Sequence, residues 1–302
     1  QVQSECDQFT MPQYRGLYVN SFQNILGNQI NEDKLLNYAI ANRYNYLTLY
    51  GVDGINFSNT TNTNNFAAFI KKAKTQYGIL QIGVIGESSN FFLQTISPYN
   101  RLRTTSFEKV DVYKLEFEFW LTSSNVPGGV YCTKYLSRNG FSCDTTGGFK
   151  FYMQELKKIK NIAQQDGMLS EVYVGWFNLG QASQIVAVVD RVLLHCYRVS
   201  DSDIYQYAKT RMSYLGSNNK IVNVMPIFSS EPSFMGPYLN TNTITKPFSV
   251  FNNYYTVETA PWKSNINIIG YQWFKYSDMP VKSILSTYST TVNFTTLDSV
   301  VI

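Results

Sequence analysis

A single α/β domain in which eight parallel strands close into a (β/α)8 TIM-type barrel is the architecture this sequence predicts. Three observations carry it. Strand-like and helix-like stretches alternate along the chain without a break. The strand-like stretches are rich in Val, Ile, Leu and Tyr, as in sheets covered on both faces. Eight such pairs also fit within 302 residues, a normal length for one barrel. An open doubly wound sheet is the alternative, but no G-x-G-x-x-G follows the first strands. No linker or internal repeat divides the chain, so residues 1–302 are read as one domain.

The elements run in order. RGLYVN (15–20) is the first strand, followed by the helical NEDKLLNYAIANR (31–43). YNYLTLYGV (44–52) precedes the helix NNFAAFIKKAKTQYG (64–78), and the polar NFSNTTNTNN (56–65) between them reads as an exposed loop. ILQIGVIG (79–86) is the third strand, ahead of a poorly patterned segment to Lys109. The fourth strand is expected over 112–120. GFKFYMQELKKIKNIAQQDG (148–167) has apolar residues at helical spacing and stops at Gly167. The last strands are EVYVGWF (171–177), RVLLHCYRV (191–199), KIVNVMPIF (220–228) and INIIGYQWF (266–274), with helices near 181–189, 201–215, 248–258 and 280–287.

Composition narrows the function. The net charge is +4 and the 25 basic residues are scattered. KKAK and KKIK read as solvated helix faces, so no nucleic-acid partner is predicted. No apolar run approaches the roughly 18 residues of a membrane span, so no membrane partner is predicted. With one histidine and no Cys–His spacing of the metal-binding kind, no metal and no cofactor are expected. The 23 tyrosines, 20 phenylalanines and four tryptophans exceed the needs of a core, and aromatic platforms beside polar groups suit hydroxyl-rich ligands. The chain begins at Gln1, as a mature protein freed of its signal peptide or a trimmed chain would. A secreted, periplasmic or cell-surface location is the expectation. Cys132 and Cys143 bracket a loop-like segment and are expected to be bridged. Cys196 is either a small core residue or a partner for Cys6.

The segment VDVYKLEFEFW (110–120) stands out. Its period of two sends Leu115, Phe117 and Phe119 to one face, and Lys114, Glu116, Glu118 and Trp120 to the other. Buried charge is costly unless paired or put to use. Catalytic groups of such barrels sit at the C-terminal ends of the strands, where Glu118 falls.

These residues resemble the family 18 glycoside hydrolases, the chitinase and endo-β-N-acetylglucosaminidase family, whose fourth strand carries D-x-x-D-x-D-x-E. DVYKLEFE places Asp111, Lys114, Glu116 and Glu118 at the four acidic positions. QIGV (81–84) keeps Gly83 of S-x-G-G on the third strand. HCYR (195–198) keeps Tyr197 of M-x-Y-D and has Arg198 for the aspartate. Trp273 of GYQWF stands for the tryptophan of the eighth strand. The resemblance thus covers strands three to eight, with Glu116 one methylene longer than the family's aspartate and Lys114 in place of an acid.

The resemblance implies a retaining, substrate-assisted hydrolysis of β-linked N-acetylglucosamine glycans, an exception to the two-carboxylate rule. Glu118 would be the general acid. Glu116 would hold the acetamido N–H and raise the acid's pKa, and Tyr197 would donate to the acetamido oxygen. Trp273 would floor the sugar, while Lys114 would pair with Glu116 and keep it ionised. From their places near strand ends, His195, Asn20, Tyr50 and Asn178 are further candidates to line the pocket. The implied partner is an oligosaccharide or a glycoprotein glycan.

Three alternatives stand beside this reading. One is a barrel-interior ion network that absorbs Glu116 and Glu118. Another is a non-catalytic glycan-binding barrel or a glycosidase-fold inhibitor. In the third, Glu118 and Glu231 act as the acid/base and nucleophile of a two-glutamate retaining glycosidase.

Overall fold

The computed structural model describes residues 12–281, which form a closed barrel of parallel strands with helices between them. The first seven strands are β1 (Tyr14–Val19), β2 (Tyr46–Leu49), β3 (Gln81–Gly86), β4 (Val112–Leu115), β5 (Leu169–Val174), β6 (Arg191–His195) and β7 (Val222–Ser229). The eighth stave comes in two pieces, β8 (Ile266–Ile268) and β9 (Gly270–Phe274). β8 lies on the lower half of β7, while β9 pairs with β7's upper half and with β1, which closes the barrel.

Helices cover the outside. α1 (Gln29–Ala41) and α2 (Thr60–Gln76) follow β1 and β2. The poorly patterned stretch after β3 holds the short α3 (Ser89–Phe91) and α4 (Ser97–Arg101), joined by a π-helical turn. α5 (Thr122–Asn125) and the long α6 (Thr145–Asp166) follow β4, and α7 (Leu179–Val188), α8 (Ile204–Gly216) and α9 (Lys246–Thr256) follow β5, β6 and β7. α6 starts where Asp144 accepts from the Gly147 N–H and ends at Gly167, whose φ of 72° suits glycine. Its buried stripe of Phe149, Tyr152, Leu156, Ile159 and Ala163 has helical spacing. The stretch 56–65, expected as loop, is helical from Thr60. Asn59 accepts from the N–H groups of Thr61 and Asn62 and so caps the helix, whose first turn can then be polar. The helix expected near 280–287 lies almost wholly outside the described residues.

Strand alternation builds two cores. Leu17, Leu47, Val84, Leu115, Val172, Leu194, Val224 and Trp273 pack outward against the helices. Tyr18, Tyr46, Ile85, Val112, Tyr173, Leu193 and Met225 fill the barrel. Large interior side chains need small neighbours. A Cβ at Gly83 would sit 2.7 Å from the Tyr46 hydroxyl, and one at Gly16 would sit 2.4 Å from Gln272 Cγ.

Candidate active site

β4 ends at Leu115 and not near Trp120 as the alternation suggested. One further rung, Glu116 N–H to Gly86 O at 3.1 Å, follows before the chain turns. Phe119 N–H then donates to Phe117 O at 2.9 Å and Leu121 N–H to Glu118 O at 3.0 Å. Buried Asn125 clamps this turn, donating to Glu118 O at 3.1 Å and Leu121 O at 2.7 Å. The division of faces survives the turn. Phe117 stacks on Tyr131 at 4.2 Å and meets Phe151 of α6, while Phe119 packs on Phe149 and Tyr152. Glu116, Glu118 and Trp120 therefore emerge on the opposite side, at the C-terminal mouth of the barrel.

Three carboxylates, Glu116, Glu118 and Glu87, come together there. Tyr18 of β1 donates to Glu116, 3.3 Å from Oε1 and 3.2 Å from Oε2. Burial raises the Glu116 pKa, and this outweighs the lowering by Lys114 and by the Tyr18 hydrogen bond. The expected hold of Lys114 on Glu116 is thus the weaker influence. Burial, then the charges of Glu116 and Glu87, push Glu118 up to about 7. Glu87, just beyond β3, was not singled out in the sequence, where it follows the strand with no motif around it. Its Oε2 accepts from Lys134 Nζ and from the Tyr135 hydroxyl, both at 2.6 Å. Lys134 and Tyr135 sit in the segment closed by the Cys132–Cys143 disulfide, whose Cα atoms are 5.1 Å apart. Tyr131, immediately before Cys132, accepts from the Glu118 N–H at 3.5 Å.

An interior ion network also exists, one layer below, and its centre is Glu171 of β5. Lys114 Nζ lies 3.5 Å from Glu171 Oε1, and Arg191 Nε 3.3 Å from Oε2. Tyr46 and Gln272 donate to Oε1 at 3.1 and 3.2 Å. Lys114 and Glu171 are fully buried. Lys114 therefore has a structural partner, and the network does not absorb Glu116 or Glu118. Nothing in the sequence marks Glu171, which stands at the head of the ordinary apolar run EVYVGWF and inside β5.

The other candidates divide. Tyr50 joins the site: its ring lies 5.9 Å from that of Tyr18, and burial, Glu116 and Glu87 raise its pKa. Tyr197, two residues beyond β6, stacks at 5.8 Å on Phe274, and its ring lies 4.3 Å from that of His195 at a tilt of 34°. His195 closes β6 on the inner side. Its Nδ1 meets the Tyr207 hydroxyl at 3.3 Å, and burial followed by the charge of Arg211 lowers its pKa to about 4.

Trp273 is a correction. It is 0% exposed, packs on Phe228 outside the barrel and donates to Ile244 O at 3.0 Å. β9 pairs so that Gln272 and Phe274 face inward, and the aromatic residue at the mouth is Phe274, 4.8 Å from the Tyr18 ring. Asn20 is engaged by the Ser277 N–H at 3.2 Å. Asn178 caps α7 in a reciprocal pair with Gln181.

Asp111 lies at the opposite end of β4, bound to Lys74 and the Ile82 N–H. Arg198 pairs with Asp203. Glu231 accepts from Ser229 at 3.1 Å and lies 3.6 Å from Lys275 Nζ. Cys196 is buried and unbridged among the described residues, its thiol pushed up to about 12 by burial, and Cys6 lies outside them. A concavity of about 940 Å³ between α6 and α7 holds none of the three carboxylates.

No family model matches this chain, and no curated protein matches it. Solved structures share its architecture. The C-terminal domain of a proposed chitinase from Desulfitobacterium hafniense superposes with a TM-score of 0.52 at 11% identity, over 90% of this chain and 96% of that one. A family 18 chitinase from Crocus vernus gives 0.46 at 10% identity, over 88% and 93%. The tryptophan synthase complex from Pyrococcus furiosus gives 0.45 at 10%, over 87% of each chain. Likeness at this level defines a (β/α)8 barrel, and chemistry has to be argued from the site.

Proposed function

We propose that this chain is a retaining, substrate-assisted glycoside hydrolase that cleaves β-linked N-acetylglucosamine-containing glycans. One observation carries the reading: Glu118, at the barrel mouth, keeps its proton to about pH 7 with Glu116 as its neighbour. A carboxyl with that pKa can deliver a proton near neutral pH and take one back from water. The substrate's acetamido oxygen attacks the anomeric carbon as Glu118 protonates the departing glycosidic oxygen. Glu116, oriented by Tyr18, accepts the acetamido N–H and favours the positive charge of the cyclic intermediate. Water then opens that intermediate with Glu118 as base, so the β configuration is retained. Tyr197 is placed in this reading to donate to the acetamido oxygen, with Phe274 in the role first given to Trp273.

A further point supports an enzyme. Lys114 pairs with Glu171 and not with Glu118, so this buried cation does not strip the acid of its proton. A soluble or glycoprotein-borne oligosaccharide is the proposed substrate, and an oxidising, extracytoplasmic compartment suits the disulfide. The test is incubation with a panel of N-acetylglucosamine oligosaccharides and glycoproteins, read by mass spectrometry, with the anomer of the first product read by NMR. Cleavage giving the β-anomer is expected. An α-anomer, or no cleavage in the panel, would overturn the reading.

A further inference from the structure

Trp120 and Trp176 follow the ends of β4 and β5 and line one concavity of about 430 Å³ with Thr122, Thr145, Asn178 and Gln181. Trp120 is two residues beyond Glu118, so this groove begins beside the candidate acid. Trp176 is 48% exposed. It is also held in place. The His195 ring lies 4.8 Å from it and the Arg211 guanidinium 5.6 Å. Arg211 is buried and fixed by the carbonyls of Gly175 and Tyr207, at 2.9 and 3.1 Å. Trp120 rests against Tyr173 and against the backbone of β5's end, where a Cβ on Gly175 would come within 2.5 Å of its ring. Two indoles are therefore positioned before any ligand arrives, which reduces the cost of ordering on binding.

The chemistry of the walls selects the occupant. Among the described residues no Asp, Glu, Lys, Arg or His lines this groove; its polar groups are the hydroxyls and amides of Thr122, Thr145, Asn178 and Gln181, with Tyr214. An apolar floor with a neutral hydrogen-bonding rim matches a pyranose, whose C–H face is apolar and whose edge carries hydroxyls. The groove shares Thr145, Asn178 and Gln181 with the wider concavity between α6 and α7, which gives a longer chain an exit path.

We propose that the Trp120–Trp176 groove is a binding subsite for a neutral pyranose ring of the glycan, next along the rim from the two sugars that flank the scissile bond. It makes the protein a reader of oligosaccharide length, with the chain leaving over the β4–β5 rim towards α6 and α7. This rests on the glycosidase reading for its choice of ligand.

The experiment titrates N-acetylglucosamine oligomers, from the dimer to the hexamer, into the Glu118→Gln protein by calorimetry, with and without Trp176→Ala. Affinity should rise with length, and Trp176→Ala should cost about tenfold for tetramer and longer, the size of one aromatic contact. The dimer should be affected much less. Should Trp176→Ala fail to fold, Thr145→Trp fills the groove from the other wall and should give the same length-dependent loss. Equal loss at every length, no loss, or no binding of any oligomer would overturn the subsite. The catalytic reading fails separately. Thio-linked oligomers, which resist cleavage, would still show the length dependence if Glu118→Gln remained fully active.

Discussion

Tyr18 and Glu116 are 98 positions apart in sequence, yet the tyrosine hydroxyl reaches both oxygens of the carboxylate, at 3.3 and 3.2 Å. The bond ties the first strand to the end of the fourth across the barrel interior, and it favours the ionised form of Glu116. The charge of Glu116 in turn raises the pKa of its neighbour Glu118. A hydroxyl on one strand thus helps set the working pH of an acid on another.

Tyr18→Phe should expose that link. Without the hydrogen bond Glu116 holds its proton to higher pH and carries less charge in the neutral range. Repulsion on Glu118 falls, and the alkaline limb of the rate–pH profile, set near 7, should move down. Turnover at neutral pH should fall by about tenfold. A profile that stays in place in the variant would separate the two residues.

Glu118 should also cost stability above neutral pH. Its folded pKa of about 7 lies above the unfolded value, so its protonated form favours the native state below about pH 4.5. That contribution is lost as pH rises from there through 7. Glu118→Gln should therefore melt a few degrees higher than the parent at pH 8, from up to about 2–3 kcal/mol. At pH 4 the two should coincide. Paired melting curves at both values check the sign.

Lys114 should behave as a structural residue. Lys114→Ala leaves Glu171 fully buried with one cation fewer, and losing one partner of a buried pair costs about 3–5 kcal/mol. Denaturant unfolding of the variant measures the cost. A loss below about 1 kcal/mol would contradict a structural role for Lys114.

The Cys132–Cys143 bridge should matter for both stability and turnover. Removing it with a Cys132→Ser, Cys143→Ser double variant should cost about 2–3 kcal/mol. It also frees the segment that brings Tyr131 to the Glu118 amide and Lys134 and Tyr135 to Glu87. Turnover should fall by more than the melting loss explains at a temperature where both proteins are folded. Chemical denaturation and initial rates at 25 °C separate the two effects.

The barrel was legible in the sequence because alternation and composition are repeated eight times, and each strand pattern supports the next. The side of β4 on which Glu116 and Glu118 emerge was legible for the same reason: Phe117 and Phe119 have only one apolar layer to enter. What local pattern could not supply was register. Trp273 and Phe274 are adjacent aromatic residues, and only the pairing of β9 with β1 and β7 decides which faces the mouth. Glu171 and Glu87 were hidden because their partners, Lys114 with Arg191 and Lys134 with Tyr135, lie on other elements. Strand β4 was overestimated because the turn that ends it depends on Asn125 reaching back from α5.

The most direct test is the turnover of Glu118→Gln on whichever N-acetylglucosamine glycan the parent cleaves, with Glu231→Gln measured beside it. The amide keeps the shape of the side chain and a hydrogen-bonding group but cannot deliver a proton. A fall of roughly 10²–10⁴-fold in Glu118→Gln is expected, the size of a general-acid contribution, with Glu231→Gln close to the parent. Full activity in Glu118→Gln, or its loss in Glu231→Gln with cleavage of plain glucosides, would contradict the account.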